Sequence, residues 1–99
     1  MAIAIQIDIL GATLEQYDEA VEIAGYIPGG PLPSGALFHW VAKTDSGIRI
    51  VNVWASREEC DQFAERQAEI IEEIGVDPAT INVEFLEVHN YLSGIGWRD

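Results

Sequence analysis

The chain has 99 residues, 48% of them hydrophobic and 22% charged, and its 17 Asp and Glu against five Lys and Arg give a formal net charge of -12. One domain spanning 1–99 is expected, because independent domains run from about 50 to 250 residues and this balance is too apolar for a disordered tail. The cations Lys43, Arg49, Arg57, Arg66 and Arg98 are scattered, which argues against nucleic acid or an anionic membrane surface as a partner and leaves the acidity as a solubilising exterior.

Along the chain, Ile3, Ile5, Ile7 and Ile9 recur at a spacing of two and predict a half-buried strand, with Ala4, Gln6 and Asp8 on its other face. That alternation is unlike a signal peptide, and no stretch approaches the roughly 18 apolar residues of a membrane span. Thr13 with Gln16 makes a capping-box pattern, after which Leu14, Tyr17, Val21 and Ala24 fall at helical spacing up to Gly25. Residues 28–35 are Pro and Gly rich and predict a stiff loop. The runs 36–43 and 48–55 are rich in Val, Ile, Phe and Trp and flank a Gly-ended turn at 44–47, the pattern of a hairpin. Ser56 with Glu59 predicts a second helix start, and Cys60, Phe63, Gln67, Ile70, Ile71 and Ile74 trace one face of a long helix ending at Gly75. A last strand covers 80–88, and an irregular tail runs from Asn90 to Asp99.

The order strand, helix, strand, strand, helix, strand predicts an α+β chain, a ferredoxin-like βαββαβ antiparallel sheet with both helices on one face. The turn at 44–47 pairs Leu37 with Trp54, His39 with Asn52 and Val41 with Ile50 on a common face. The bulky set Phe38, Trp40, Val51 and Val53 is then expected beneath the helices, together with the isoleucine stripe. The opposite face keeps Leu37, Val41, Ile48, Ile50 and Trp54, too apolar for water, and a second copy of the chain is the simplest cover.

On that uncovered face Gln6 and Asp8 are expected beside His39, Asn52 and Trp54, a few polar groups on an apolar surface, as in a small-molecule pocket. His39 is a candidate general base or acid near neutral pH, Asp8 a group to orient it, and Asn52 or Gln6 a hydrogen-bond partner for a developing oxyanion. Trp54 offers a flat wall to an aromatic ligand, with Leu37, Val41, Ile50 and Tyr17 as further lining. His89 stands at the end of the last strand, where it lines the cavity mouth or caps the sheet. The plain alternatives are a hydrogen-bonded interface residue for His39, dimer packing for Trp54 and a wetted interface rim for Gln6 and Asp8. No His-x-His or His-Glu-x-x-His spacing suggests a metal site, and the Gly-rich loop lacks the Lys and Ser/Thr of a phosphate cradle. Cys60 is the only cysteine, which rules out an internal disulfide and fits a cytoplasmic setting.

The junction Val51-Asn52-Val53-Trp54-Ala55-Ser56-Arg57-Glu58-Glu59 resembles the strand-to-helix junction of the dimeric α+β barrel superfamily, which includes the antibiotic-biosynthesis monooxygenases. The segments Leu37-Phe38-His39-Trp40 and Val88-His89-Asn90 look like an uncharacterised small group within it. The resemblance implies a homodimer in which two sheets face each other, and a pocket in each protomer between sheet and helices. Trp54 matches the tryptophan that contacts haem in haem-degrading members, and Gln6 lies about where those have an Asn. Their haem ligand is a His on the second helix, and residues 56–74 contain none, so no haem or other cofactor is expected. The leading expectation is an isomerase, cyclase or lyase acting on a hydrophobic carbonyl or aromatic substrate by acid–base catalysis. The alternatives are cofactor-independent monooxygenation of an aromatic, or a non-catalytic binding or assembly module.

Overall fold

The computed structural model describes residues 2–27, 29–90 and 92. Strand β1 (Ile3–Leu10) leads to helix α1 (Leu14–Ala24), the hairpin β2 (Ala36–Lys43) and β3 (Gly47–Trp54), helix α2 (Arg57–Glu73), a short 3-10 turn at Pro78–Thr80 and strand β4 (Ile81–Glu87). The sheet is antiparallel throughout in the order β2-β3-β1-β4, so the two strands rich in isoleucine and valine are central and the two more exposed ones are edges. This is the expected βαββαβ arrangement of a ferredoxin-like α+β fold. The expected tail from residue 90 falls, apart from Asn90 and Leu92, outside the described residues.

Local chemistry sets the boundaries. Thr13 Oγ1 accepts from the Gln16 N–H at 3.1 Å while Gln16 Oε1 accepts from the Thr13 N–H at 3.0 Å, closing the first capping box. At α2 the Ser56 hydroxyl accepts from the Glu59 N–H, but Glu59 returns its carboxylate to that same hydroxyl at 3.2 Å instead of to the Ser56 backbone. Gly25, with φ of 85°, gives its N–H to Glu22 O, and the Tyr26 N–H reaches Val21 O, a left-handed cap that only glycine enters without strain.

Register decides which residues meet the helices. Between β1 and β3, Ile3 faces Trp54, Ile5 faces Asn52, Ile7 faces Ile50 and Ile9 faces Ile48; between β1 and β4, Ile5 faces Phe85 and Ile9 faces Ile81. Directly opposed residues project to one side of the sheet. The isoleucine stripe packs as expected beneath the helices: Ile5 and Trp54 meet Cys60 and Phe63 of α2, while Ile9 and Ile48 meet Tyr17 of α1 and Ile71 of α2. Because β3 is bonded to β1 in this register, the stripe brings Asn52, Trp54, Ile50 and Ile48 with it.

The expected face assignment of the hairpin is therefore reversed. His39, Val41, Ile50, Asn52 and Trp54 lie on the helix side, and Phe38, Trp40, Val51 and Val53 lie on the open side. The pairings His39 with Asn52 and Val41 with Ile50 are present, but a bulge between Ala36 and Phe38 displaces Leu37, so Trp54 is opposed by Ala36 instead. The open face is divided. One half is apolar, with Phe38, Trp40, Val51, Val53 and Leu86; the other carries Arg49, Asp8, Asn82, Gln6 and Glu84.

Candidate functional site

Three elements bring polar groups together on the helix side near the β2 edge. Asn52 is the one polar residue buried among the described residues, at 6% exposure, and it sits in the middle of β3 between Ile50 and Trp54. Burial of an amide costs free energy unless it is paired. Its cross-strand neighbour His39 supplies the partner, with Nδ1 hydrogen-bonded to Asn52 Oδ1. From α1 the Tyr17 hydroxyl reaches the other ring nitrogen, Nε2, and the two rings lie nearly parallel, at 16° with centroids 5.9 Å apart. An amide oxygen accepts only, so the neutral ring carries its proton on Nδ1 and Nε2 accepts from the Tyr17 hydroxyl. His39 is exposed, Tyr17 half-buried and Asn52 buried, so the His39 ring links the surface to the core. Burial, and secondarily the nearby Asp18 carboxylate, pushes the Tyr17 phenol above its usual range and keeps it protonated at neutral pH.

Trp54 lies beyond Asn52 on the same face, at 2% exposure, packed on Phe63 with ring centroids 5.0 Å apart. Its indole N–H has no hydrogen-bond partner among the described residues. Tyr26 stands on the far side of Phe63 at 6.3 Å, which completes a short aromatic series beneath α2. Cys60, buried beside Trp54, is held as the neutral thiol by burial and by Asp61, with Arg57 opposing.

The other sequence candidates are elsewhere. Asp8 and Gln6 lie on the open face, so the expected contact of Asp8 with His39 is absent. Asp8 accepts from Arg49 Nε at 2.7 Å and from Nη2 at 3.3 Å, and Gln6 Nε2 donates to it at 3.3 Å. The Arg49 hydrogen bonds hold the Asp8 carboxyl below the usual range. A shallow depression of about 400 Å³ adjoins them, lined by Gln6, Asp8, Asn82, Val83 and Glu84. A second, of about 120 Å³, lies near Ala12, Gln16 and Val76, and neither borders His39. His89 is exposed past the end of β4, at the sheet edge opposite β2, and Leu37 is exposed at the bulge. Among the described residues no group of three or more His, Cys, Asp or Glu is placed to hold a metal ion, and no helix is long and apolar enough to cross a membrane.

Sequence reasoning placed Tyr17 only as lining and missed its bond to His39. A signal existed: Tyr17 belongs to the inward stripe of α1, and a phenol there seeks a partner for its hydroxyl.

A sheet of this order, with a polar relay and an aromatic cluster between it and two helices, defines the fold class that comparison with solved structures also identifies. The chain shares the fold of a protein from Deinococcus radiodurans described as a candidate antibiotic biosynthesis monooxygenase, with a TM-score of 0.58, 16% identity, and 97% of this chain and 100% of that one covered. It likewise matches the monooxygenase from the gene ActVA-Orf6 of Streptomyces coelicolor in complex with nanaomycin D, with a TM-score of 0.53, 13% identity, and 95% of this chain and 92% of that one covered. No protein-family model matches the sequence, and no curated protein does.

Proposed function

We propose that this chain is a small-molecule enzyme of the dimeric α+β barrel type that performs acid–base chemistry on a hydrophobic carbonyl or aromatic substrate of the isomerase, cyclase or lyase kind. The observation that carries the reading is the Tyr17–His39–Asn52 relay, in which a buried amide fixes the tautomer of a surface imidazole. Nothing in the fold alone requires an imidazole there, and an apolar pair would fill the same positions on β2 and β3 at less cost. Trp54 packs behind Asn52 on the same face with its indole N–H unpartnered among the described residues, and the cross-strand pair Val41–Ile50 lies beside His39–Asn52. The reading includes no resident cofactor and a cytoplasmic location. The test is turnover: across a panel of enolisable ketones and polycyclic phenols, His39→Gln must abolish any conversion that the wild type shows, and unchanged conversion rejects the assignment.

A second reading, cofactor-independent monooxygenation of an aromatic, has the loose support of fold neighbours described as monooxygenases, one of which holds nanaomycin D. It begins with the same removal of a proton and differs in the later steps. Oxygen consumption without added metal or flavin separates the two.

The apolar half of the open face supports a homodimer through that face. Trp40 and Phe38 on β2 are each 39% exposed and Leu86 on the far edge strand β4 is 50% exposed, all on the open face. With a chain mass of 10.9 kDa, sedimentation should give about twice that value. A value near one chain mass at micromolar concentration rejects the dimer.

A further inference from the structure

The geometry points to Tyr17, and not His39, as the catalytic residue that meets the substrate, with His39 accepting the proton one step behind it; this inference rests on the acid–base reading above. Both nitrogens of the His39 ring are engaged within the protein. Nδ1 bears the proton given to Asn52 Oδ1, so it has no lone pair to offer, and the lone pair of Nε2 is taken by the Tyr17 hydroxyl. A substrate therefore cannot use either nitrogen directly while the relay is intact. The Tyr17 oxygen still has acceptor capacity and is the terminal member of the hydrogen-bond chain, on α1, where Tyr17 is half-buried.

Proton movement is set by this placement. The substrate gives its O–H proton to the Tyr17 oxygen as Tyr17 passes its own proton to His39 Nε2. The products are a substrate oxyanion and a His39 imidazolium, whose Nδ1–H stays on Asn52 Oδ1 and whose Nε2–H is now donated to the Tyr17 oxygen. Atoms and charge balance without any further reactant. Tyr17 ends neutral, which suits a phenol whose pKa is raised by burial, because the relay never requires a free phenolate. The arrangement also narrows the substrate class. A phenol oxygen exchanges protons readily with another oxygen, so within the acid–base reading the site suits the phenolic or enolic O–H of its substrate.

Carbethoxylation by diethyl pyrocarbonate tests the geometry without knowledge of the substrate, because the reagent needs a free imidazole lone pair. His89 is exposed and serves as the internal reference. His39 is also exposed, so plain burial does not protect it, and an engaged lone pair does. Peptide mapping should show His39 reacting several-fold more slowly than His89 in the wild type and roughly fivefold to tenfold faster in Tyr17→Phe than in the wild type. Equal rates at His39 and His89 in the wild type overturn the proposal. The second arm uses p-nitrophenol, buffered below its own pKa, as an optical probe. The wild type should raise the fraction of bound phenolate, and Tyr17→Phe and His39→Gln should each remove that rise with the circular dichroism spectrum unchanged. If His39→Gln removes it and Tyr17→Phe keeps it, His39 acts directly: the relay fails and the acid–base reading stands. If the wild type binds the probe without ionising it, both fail.

Discussion

Replacing Trp54 by Phe sets two opposing effects of known size against each other. Trp54 is 2% exposed in the cluster of Ile5, Cys60 and Phe63, so shortening it removes about three heavy atoms of buried ring. At about 0.8 kcal/mol per buried methylene-sized group, with a modest cavity term added, the loss is on the order of 2–3 kcal/mol. The same substitution deletes the indole N–H, which has no partner among the described residues. A buried donor left without a partner costs about 1–3 kcal/mol, and its removal returns that amount. The two nearly cancel, so Trp54→Phe should fall within about 1 kcal/mol of the wild type in urea unfolding, with the slope unchanged. Trp54→Ala deletes the packing as well and should cost about 3–5 kcal/mol. A loss of about 3 kcal/mol or more in Trp54→Phe would show that the N–H is already bonded, by an internal water for instance, and would refute the cancellation.

Ile48, 2% exposed where the sheet meets the C-terminal turn of α2, has no polar atom to release, so Ile48→Ala should cost about 2–5 kcal/mol by the same urea measurement. The Asp8 carboxyl is held low by Arg49, so its favourable contribution is complete above the unfolded carboxylate pKa of about 4 and fades as pH falls through the lower folded value. Asp8→Asn should accordingly flatten the acid limb of the stability profile below about pH 4 and leave the neutral region almost unchanged, because the pair is exposed. Cys60 is buried and its thiol pushed up, so iodoacetamide at mildly alkaline pH should label it only at the rate of unfolding, and labelling as fast as that of a free thiol would contradict its placement. On the open face, Trp40→Glu places a charge among Phe38, Val51 and Val53 and should halve the sedimenting mass, an effect that a substitution at a merely solvated site would not produce.

The elements themselves were legible because each carried a local signature. Thr13 with Gln16 and Ser56 with Glu59 marked both helix starts, period-two isoleucines marked β1, and the turn at 44–47 fixed which residues of β2 and β3 oppose each other, His39 with Asn52 among them. Which face of the hairpin meets the helices was not legible. Both faces of β2 and β3 carry apolar residues, and a turn fixes the pairing of two strands without orienting the pair. That information resides in the pairing of β3 with β1, a contact between segments about forty residues apart that no local pattern encodes. The bulge at Leu37 was hidden for a related reason: an extra residue in an edge strand alters nothing in the hydrophobic alternation until its partner is known. Asp8 keeps its expected place on the open face; the error moved His39 and Asn52 away from it, and once the register is known Asp8 and Arg49 are direct cross-strand neighbours on that side.

The reversal of the faces also changes which part of the chain the proposed acid–base site depends on. Had His39 and Asn52 lain on the open face, a second protomer would close over them and the site would exist only in the dimer. On the helix side the relay is built within one chain, with Tyr17 from α1, His39 from edge strand β2 and Asn52 from central strand β3. The open face is then free for the proposed association alone, and the two proposed functions are separable by mutation. A charge at Trp40 acts on association and leaves the Tyr17–His39–Asn52 bonds in place, since alternation along β2 puts position 40 on the side opposite to position 39. Loss of the dimer with the slow carbethoxylation of His39 retained is the outcome this division requires, and loss of both together would mean that the site is shared between protomers.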